Sequence, residues 1–247
     1  MPPMLTIAKR EFRSFFDSPL AYVIICLSLF MVGVLFFFGF FGWSDFWSAD
    51  RASMQLLFRY APWGLCVLVV PVVTMRLLAE ERRSGTLEML ITLPVKDSDV
   101  VLGKYIGAFG LVLVLVLATL AYPVGMFFFP WELGVLDWSA VWAGYIGLVL
   151  LSAAAVSIGL LISSLTSSQP VAAIITFVGL FLLYALGIAA TKTTGTLALV
   201  LRFVAFDERL DGFTKGLVDT RDVIYFLTIT AVCLIASFKA LERRKWA

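Results

Sequence analysis

The sequence predicts an all-α, polytopic membrane protein with six transmembrane helices, and three observations indicate this fold class. The 247 residues are 61% hydrophobic but only 15% charged, whereas about a quarter of the residues of a typical soluble domain carry charge. The mean hydropathy of the chain is +0.99. Six stretches carry no acidic or basic side chain: Leu20–Gly42, Ala61–Met75, Tyr105–Phe129, Ala140–Ser163, Val171–Ala190 and Val223–Phe238.

Four of these stretches are long enough to cross a membrane as they stand. A hydrocarbon core of roughly 30 Å needs about 20 apolar residues, since a helix rises about 1.5 Å per residue. Ala61–Met75 and Val223–Phe238 are shorter. Because Arg76 and Lys239 follow them and can snorkel to the interface, we expect each of these helices to continue by about a turn. Residues 1–247 are therefore expected to form a single transmembrane domain.

The distribution of lysine and arginine predicts the orientation of the bundle. With six spans, the N-terminal arm, the 76–104 loop and the C-terminal tail lie on one side and carry twelve basic residues, against seven on the other side. Loops rich in Lys and Arg stay in the cytoplasm. Both termini are therefore predicted to be cytoplasmic.

The N-terminal segment 4–17 has the pattern of an amphipathic helix. Its apolar residues recur at helical spacing and its charges take the other face, where Lys9, Arg10, Glu11 and Arg13 lie. Such a helix is too short to span and is typical of segments that lie along a membrane surface. The alternative is a basic arm that only sets topology. Ser18 and Pro19 are typical of an N-cap and a first helical residue, which begins the first span.

Two features inside the spans predict their local geometry. Pro71 and Pro123 lack a backbone N–H, so the second and third helices should be interrupted near them. Small residues spaced by four let helices approach closely. The spacing leaves open whether these small residues pack within one subunit or between two copies. The small residues are Gly103, Gly107, Ala155, Gly159 and Ser163.

The 191–221 segment is predicted to be a structured extracytoplasmic loop. Thr196–Phe206 is apolar, but as a helix of about 16 Å it cannot cross the membrane, so we expect short re-entrant helices that form a lid. Asp219 is expected to cap the last helix, and Asp222 should favour its positive end.

The residue types argue against several functions. Ion-coupled transporters keep ionisable residues at membrane depth, yet the six stretches contain none, and the chain has no histidine to serve as base or metal ligand. No metal site is therefore expected. "VLGKY" (101–105) lacks the Gly and Ser/Thr of a phosphate loop, so Lys104 is interpreted as an anchor at the membrane boundary. We expect no enzyme activity and no nucleotide cofactor in this chain.

The 76–104 segment carries ten charges, five basic and five acidic. Burying them at roughly 2.5–3.5 kcal/mol each would cost more than about 25 kcal/mol, so the segment is expected to stay in water. Ser84 can cap a short helix that Pro94 ends, and Asp97 can cap the next one. A helix tethered to two spans suits a lever, whereas the simpler alternative is a solvated loop. The apolar stripe of this expected short helix consists of Leu87, Leu90 and Ile91.

The sequence of this segment closely resembles that of a known family. "MRLLAEERRSGTLEMLITLPVKDSDVVLGKYIGA" is similar to the cytoplasmic loop of type-2 ABC exporter permeases, particularly the gliding-motility-associated branch. Further similarities follow in the same order along nearly the whole chain. They are "APWGLCVLVVP", "SIGLLISSLTSSQPVAA" and "GFTKGLVDTRDVIYFL".

The resemblance implies a role for the cytoplasmic segments. A coupling helix around Arg83–Leu93 would sit in a cleft of an ABC ATP-binding subunit, which would hold ATP and Mg²⁺. The implied contact residues are Glu80, Glu81, Arg82, Arg83, Gly85, Thr86, Leu87, Glu88 and Leu90. The 163–169 turn would be a second contact. Segment 4–17 would be the interfacial helix, with Lys9, Arg10, Phe12 and Arg13 on it.

The resemblance also implies an outer closure and an assembly. Outer helices within 196–215 would close the pathway, and the outer-loop site residues are Arg209, Phe213, Lys215 and Asp219. The expected partners are a second copy or a homologous permease, the ATP-binding subunits, the lipid membrane and an auxiliary subunit with a periplasmic domain, but no nucleic acid. The expected location is a bacterial inner membrane.

Two functions are compatible with this reasoning. The first is a permease subunit that couples ATP hydrolysis in a partner to export of a substrate. The second is a mechanotransmission subunit that passes ATP-driven motion to a periplasmic partner and moves no substrate. The apolar spans offer no polar groove for a sugar or peptide, which favours the second function or a lipid-like cargo.

Overall fold

A computed structural model describes residues 3–39, 53–83, 85, 96–128 and 136–242, and every regular element among them is helical. The predicted all-α membrane fold is confirmed. The helices are α1 (Pro3–Phe16), α2 (Pro19–Phe38), α3 (Gln55–Gly64), α4 (Val70–Thr74), α5 (Ala79–Arg83), α6 (Asp97–Ala118), α7 (Ala121–Phe128), α8 (Trp138–Leu165), α9 (Gln169–Thr191), α10 (Thr196–Val204), α11 (Phe206–Thr214) and α12 (Thr220–Glu242).

Five stretches of the described chain are long and apolar enough to span a membrane, where the sequence predicted six spans. They are Ala21–Phe38, Asp97–Met126, Trp138–Leu165, Gln169–Thr191 and Thr220–Glu242. The predicted second span consists instead of α3, a π-helical segment Leu65–Val69 and α4. None of these three pieces alone has the length of a span. A sixth crossing, made by the pieces together, stays a prediction.

Proline explains why this segment is irregular. Pro71 has no N–H to offer the carbonyl one turn earlier, which lies inside the π-helical segment. A π-turn is a common way to absorb such a mismatch within a helix. The predicted interruption at Pro71 is confirmed.

The predicted interruption near Pro123 is confirmed as well. Helix α6 ends at Ala118 and α7 begins at Ala121. Since Pro123 cannot donate to the carbonyl of Thr119, that carbonyl instead accepts from the backbone N–H of Tyr122 at 3.1 Å.

Helix α8 occupies the centre of the bundle. In the apolar stretch of α8, 61% of the residues are buried, against 11% in that of α12. It contacts α4, α6, α9, α11 and α12. By contrast, α2 and α12 turn large apolar side chains outward, among them Phe30 and Ile224, which suits contact with lipid.

The small residues of the spans pack within the subunit. A Cβ at Gly159 would lie 2.7 Å from the Cβ of Thr74, so α4 and α8 are in backbone-close contact there. A Cβ at Gly107 would lie 2.7 Å from the Cβ of Glu11, and one at Gly103 would lie 2.8 Å from that of Ile7. Helix α1 therefore rests on a glycine face of α6. Intramolecular packing is the alternative that the structure confirms for these positions.

The two ends of the bundle carry different short elements. The α1 end carries α1, α5, the first turns of α6, the last turn of α8 and the 166–168 turn. The cap end carries α10 and α11, which together are called the cap. The chain order places 163–169 and 76–83 at the same end, as the resemblance implied.

Replacing Gly159 with alanine is expected to destabilise the bundle. The added methyl group would overlap the Thr74 side chain on a neighbouring helix, and overpacking of this kind costs about 1–3 kcal/mol. Gly179→Ala is the matched control, because nothing lies within 4 Å of its Cβ position. Unfolding in detergent, followed by circular dichroism, should show a lower midpoint for Gly159→Ala only. Equal midpoints would mean that α4 and α8 are not packed this closely.

Candidate functional site

A buried lysine joins three helices at the α1 end. The side chain of Lys104, on α6, is 2% exposed. Its Nζ lies 2.9 Å from Oε1 of Glu11 on α1 and 2.8 Å from Oε1 of Glu81 on α5. Both carboxylates are 16% exposed. We call Glu11, Lys104 and Glu81 the ion triad.

The triad depends on the glycine face of α6. Gly103 and Gly107 share one face of α6, and Lys104 lies next to Gly107 on the helix surface, three residues earlier; α1 lies directly against both glycines. With side chains at these positions, α1 could not approach closely enough for the Glu11 carboxylate to reach the ammonium. Removing three charges from water costs several kcal/mol per ion, and only close pairing offsets it. The geometry of this end is therefore tightly constrained.

A serine connects α5 to the central helix. The Oγ of Ser163, in the last turn of α8, accepts hydrogen bonds from the backbone N–H groups of Leu78 and Ala79, each at 3.1 Å. Ser163 is fully buried. The beginning of α5 is thus held by α8 through these bonds and by α6 through Glu81. The segment that leaves α5 starts from a fixed point.

The structure assigns separate surroundings to the predicted contact residues of α5. Glu80 and Arg83 are exposed and Arg82 is half-buried, while the Glu81 carboxylate binds Lys104. Gly85 has φ +70°, a left-handed conformation that favours glycine. The other predicted residues of the coupling helix, together with its cap Ser84, lie outside the described residues: Thr86, Leu87, Glu88 and Leu90.

Two sequence interpretations at this end are wrong. Lys104 is not an anchor at the membrane boundary, because its ammonium is enclosed by two carboxylates inside the bundle. Asp97 is not the cap of α6: the helix begins at Asp97 itself, and the N-cap position is Lys96 with no side-chain cap bond. Asp97 and Asp99 instead occupy the first turn, where acidic groups suit the helix dipole.

The predicted surface helix matches α1. Lys9, Arg10 and Arg13 are exposed, and Phe12 is half-buried with its ring 5.0 Å from that of Phe16. Only Ala8 among its described residues is fully buried. One face of α1 therefore rests on α6 and the other presents three basic side chains.

At the cap end, Arg209 ties the cap to α12. Its Nη1 donates to the Asp222 carboxylate at 2.9 Å, and its Nε and Nη2 donate to the carbonyl of Phe203. The guanidinium lies 4.8 Å from the Phe203 ring centroid and 5.1 Å from that of Tyr225, which adds cation–π attraction. The Tyr225 hydroxyl donates to the carbonyl of Val204 at 2.6 Å. The two short helices expected within 196–215 are present and anchored, and their extracytoplasmic position stays a prediction.

The other predicted residues of the outer loop have local roles. Phe213 is buried against Gly147 of α8. Lys215 forms an exposed ion pair with Asp211, one turn earlier. Asp219 accepts from the backbone N–H of Arg221 at 2.8 Å, which confirms it as the cap of α12.

Asp207 is a functional candidate that the sequence analysis missed. Asp207 lies on α11 against Gly187 of α9. A Cβ placed on Gly187 would be 3.0 Å from the Cβ of Asp207. Burial raises the pKa of the Asp207 carboxyl, and a hydrogen bond from Tyr184 and the charge of Arg59 offset part of that rise. A carboxyl that packs on a glycine of a span joins the cap to α9. The signal that could have indicated it is an acid directly after the apolar run of α10.

No group of three or more metal-ligating side chains lies within residues 3–39, 53–83, 85, 96–128 and 136–242. The site chemistry in this part of the chain consists of ion pairs, hydrogen bonds and close helix contacts. Such an arrangement can position helices and transmit movement between them.

Comparison with known proteins identifies a family. Residues 11–183 match the family described as "ABC-2 family transporter protein". The match begins within α1, includes the whole 76–104 segment and ends within α9. No match was found among curated proteins.

Replacing Lys104 with methionine is expected to destabilise the chain strongly. It leaves Glu11 and Glu81 close together without a cation, and removing one partner of a buried ion pair costs about 3–5 kcal/mol. The triple variant Lys104→Met, Glu11→Gln and Glu81→Gln should recover much of the loss, because no uncompensated charge remains. Denaturant titrations in detergent measure both.

Lys239→Met is the control for this experiment. It also removes one lysine from one ion pair, with Glu242, but that lysine side chain is 71% exposed, and exposed pairs contribute little. Similar losses for Lys104→Met and Lys239→Met would contradict a buried triad.

The stability of the cap end is expected to depend on pH through Asp207. Because its pKa is raised above the usual 3.8 in the folded chain, the folded state holds the proton more tightly. Stability should therefore fall as pH rises from about 3.8 through the raised pKa. Asp207→Asn should remove this slope and be more stable than wild type at neutral pH. Unfolding midpoints across pH test this, with Asp17→Asn, an exposed aspartate at the α1 end, as control; an unchanged slope in Asp207→Asn contradicts it.

Proposed function

Because the chain belongs to the ABC-2 family of transporter proteins, we propose that it is the permease subunit of an ATP-driven export complex that is driven through its α1 end. The family match makes it a membrane-spanning component of an ABC transporter, and this implies a partner subunit that binds ATP. Export, and the route by which force enters, belong to the proposal.

The ion triad is the observation that carries the proposal. The 84–95 segment connects α5 to α6 in the chain. The buried ammonium of Lys104, which belongs to α6, binds the carboxylates of Glu81 on α5 and of Glu11 on α1. A displacement of the segment would therefore move α1, α5 and α6 together. The hydrogen bonds to Ser163 would pass the same displacement to α8. A solvated loop without a partner would need no such fixed attachment.

The surroundings of α5 suggest a division of roles among its charges. Glu80 and Arg83 are exposed and are proposed to contact the ATP-binding subunit. The Glu81 carboxylate is engaged with Lys104, so its proposed role is to transmit the movement, not to dock. The segment beyond α5 would complete the contact through Thr86, Leu87, Glu88 and Leu90.

Charge reversal at the exposed positions should prevent association with the ATP-binding subunit. We expect Glu80→Lys with Arg83→Glu to reduce copurification of the partner several-fold, because charges at an interface fix partner choice and register. Glu81→Gln should keep the partner bound but lower the stimulated rate of ATP hydrolysis. Both quantities are measured on the reconstituted complex.

Arg221→Glu is the matched control for charge reversal, since Arg221 is an exposed arginine at the cap end. It should change neither association nor hydrolysis. If the Glu80/Arg83 reversal leaves both measurements at the wild-type level, force does not enter through this segment and the proposal fails.

A second candidate function is mechanotransmission to a partner at the cap end. Its support is the anchoring of the cap to α8, α9 and α12 through Phe213, Asp207 and Arg209, because a gate that opens freely would not need three attachments. The similarity of the 76–104 segment to the gliding-motility-associated branch favours the same function. ATP-dependent uptake of a lipid or glycan into inverted vesicles separates the candidates: uptake supports export, and hydrolysis without uptake supports mechanotransmission.

A further inference from the structure

An open groove lies on the cap, where α10 and α11 meet. Its volume is about 270 Å³. Since one water molecule occupies about 30 Å³ of the liquid, the groove has room for a small polar group of several heavy atoms but not for a long apolar chain. The residues that line it are Leu199, Arg202, Phe203, Glu208 and Arg209.

Opposite charges lie side by side in this groove without a hydrogen bond between them. The Nε of Arg202 is 3.8 Å from the Oε1 of Glu208, which is too long for a hydrogen bond. Neither side chain has another ion pair or hydrogen bond within the part of the chain that the structure describes. Partly exposed pairs of this kind contribute little to stability. Both charges are therefore accessible to a ligand.

The second arginine of the groove is already neutralised. Nη1 of Arg209 donates to the Asp222 carboxylate at 2.9 Å, and its Nε and Nη2 donate to the carbonyl of Phe203. The charges that remain for a ligand are those of Arg202 and Glu208, and they balance. A purely anionic ligand would bring its charge close to Glu208, where repulsion opposes binding. A zwitterion with neighbouring charges can pair with both residues.

The position of the groove indicates that the zwitterion comes from the membrane. Helix α10 follows the candidate span of α9 through the short 192–195 turn and packs on α9. The Phe203 ring lies 6.1 Å from that of Tyr225, near the start of the candidate span of α12. Helix α10 therefore contacts the ends of two spans, where a membrane boundary would be.

The outward face of α10 is apolar and has no protein neighbour among the described residues to cover it. Its four large apolar side chains are each at least 59% exposed, and the adjoining ends of α9 and α12 expose Ile188 and Ile224. A surface of this kind at a span end suits contact with acyl chains. The four side chains are Leu197, Leu199, Val200 and Phe203.

We propose that the groove binds the headgroup of phosphatidylethanolamine, with its phosphate on Arg202 and its ammonium on Glu208. The two carbons between the ester oxygen and the amine keep the opposite charges close together, as these two neighbouring residues require. A primary ammonium can donate hydrogen bonds to the Glu208 carboxylate, whereas the quaternary amine of phosphatidylcholine cannot. The acyl chains would lie along the exposed face of α10. The inference does not depend on the proposed direction of transport.

Lipid binding by the purified full chain tests the proposal. After delipidation, the chain is titrated separately with phosphatidylethanolamine, phosphatidylglycerol and phosphatidylcholine, and bound lipid is counted by native mass spectrometry. Wild type should bind one phosphatidylethanolamine about fivefold more tightly than either other lipid, which corresponds to about 1 kcal/mol.

Two variants separate the roles of the charges. Glu208→Gln removes the repelling carboxylate and keeps Arg202, so it should bind phosphatidylglycerol as well as phosphatidylethanolamine. Arg202→Gln should weaken binding of phosphatidylethanolamine, and Arg202→Lys should keep most of it, which separates loss of charge from loss of fold. Arg221→Gln is the matched control, because it removes an exposed arginine of the same end that does not line the groove, and it should keep the preference.

Several results would overturn the proposal. One is equal binding of the three lipids by wild type, and another is an unchanged preference in Glu208→Gln. Displacement of the lipid by millimolar O-phosphoethanolamine would indicate a site for a soluble zwitterion instead. In vesicles, brominated phosphatidylethanolamine should quench the added fluorescence of Leu199→Trp. A lack of quenching would mean that this face of α10 meets water or a protein partner.

Discussion

An ammonium group removed from water must be neutralised at close range, and this constraint determines the α1 end of the protein. Lys104 is 2% exposed and meets two carboxylates within 2.9 Å. Neither carboxylate belongs to its own helix, so the requirement brings α1 and α5 to fixed positions on α6. The glycines beside Lys104 are a second part of the same constraint, because the ions can meet only if the helix backbones approach closely.

Helix α8 connects this end to the cap. Ser163 in its last turn holds α5, and Gly147 near its start receives Phe213 of α11. These positions are sixteen residues apart, about 24 Å along a helix. No proline interrupts α8, whereas the second predicted span and the α6–α7 segment are irregular near Pro71 and Pro123. An uninterrupted central helix with irregular neighbours can carry displacement from one end to the other while the neighbours adjust.

The sequence was sufficient for features that depend on one residue type and its immediate neighbours. The interruptions near Pro71 and Pro123 follow from a missing N–H, and the cap at Asp219 follows from a side chain beside the first free amides of a helix. The length of an apolar stretch likewise predicted four of the five spans, and the fifth, Thr220–Glu242, agrees with the expected continuation of Val223–Phe238 by about a turn. The second stretch is divided into three helical pieces, because its hydrogen bonding changes register within the segment, so the sixth crossing stays a prediction.

The ion triad could not be predicted in this way, because Glu11 is 93 positions from Lys104. The pairing exists only once α1 has packed on α6, and segment 4–17 alone indicates a surface helix equally well. Gly103 and Gly107 gave a signal: two glycines on one helix face mark where another helix can approach, and Lys104 lies beside that face. Asp207 was missed for the same reason, since its burial depends on Gly187 of another helix.

Lys104 and Arg76 show two different ways of holding a cation at one end of an apolar bundle. A compact ammonium can be enclosed by two carboxylates, and it then serves as an internal joint. A planar guanidinium presents several donors in a fixed fork that suits an oxyanion. Glu11 and Glu81 are both bound to Lys104, and the Nε of Arg76 is buried without a hydrogen-bond partner. The ammonium of Lys104 thus fixes three helices to one another at this end of the bundle.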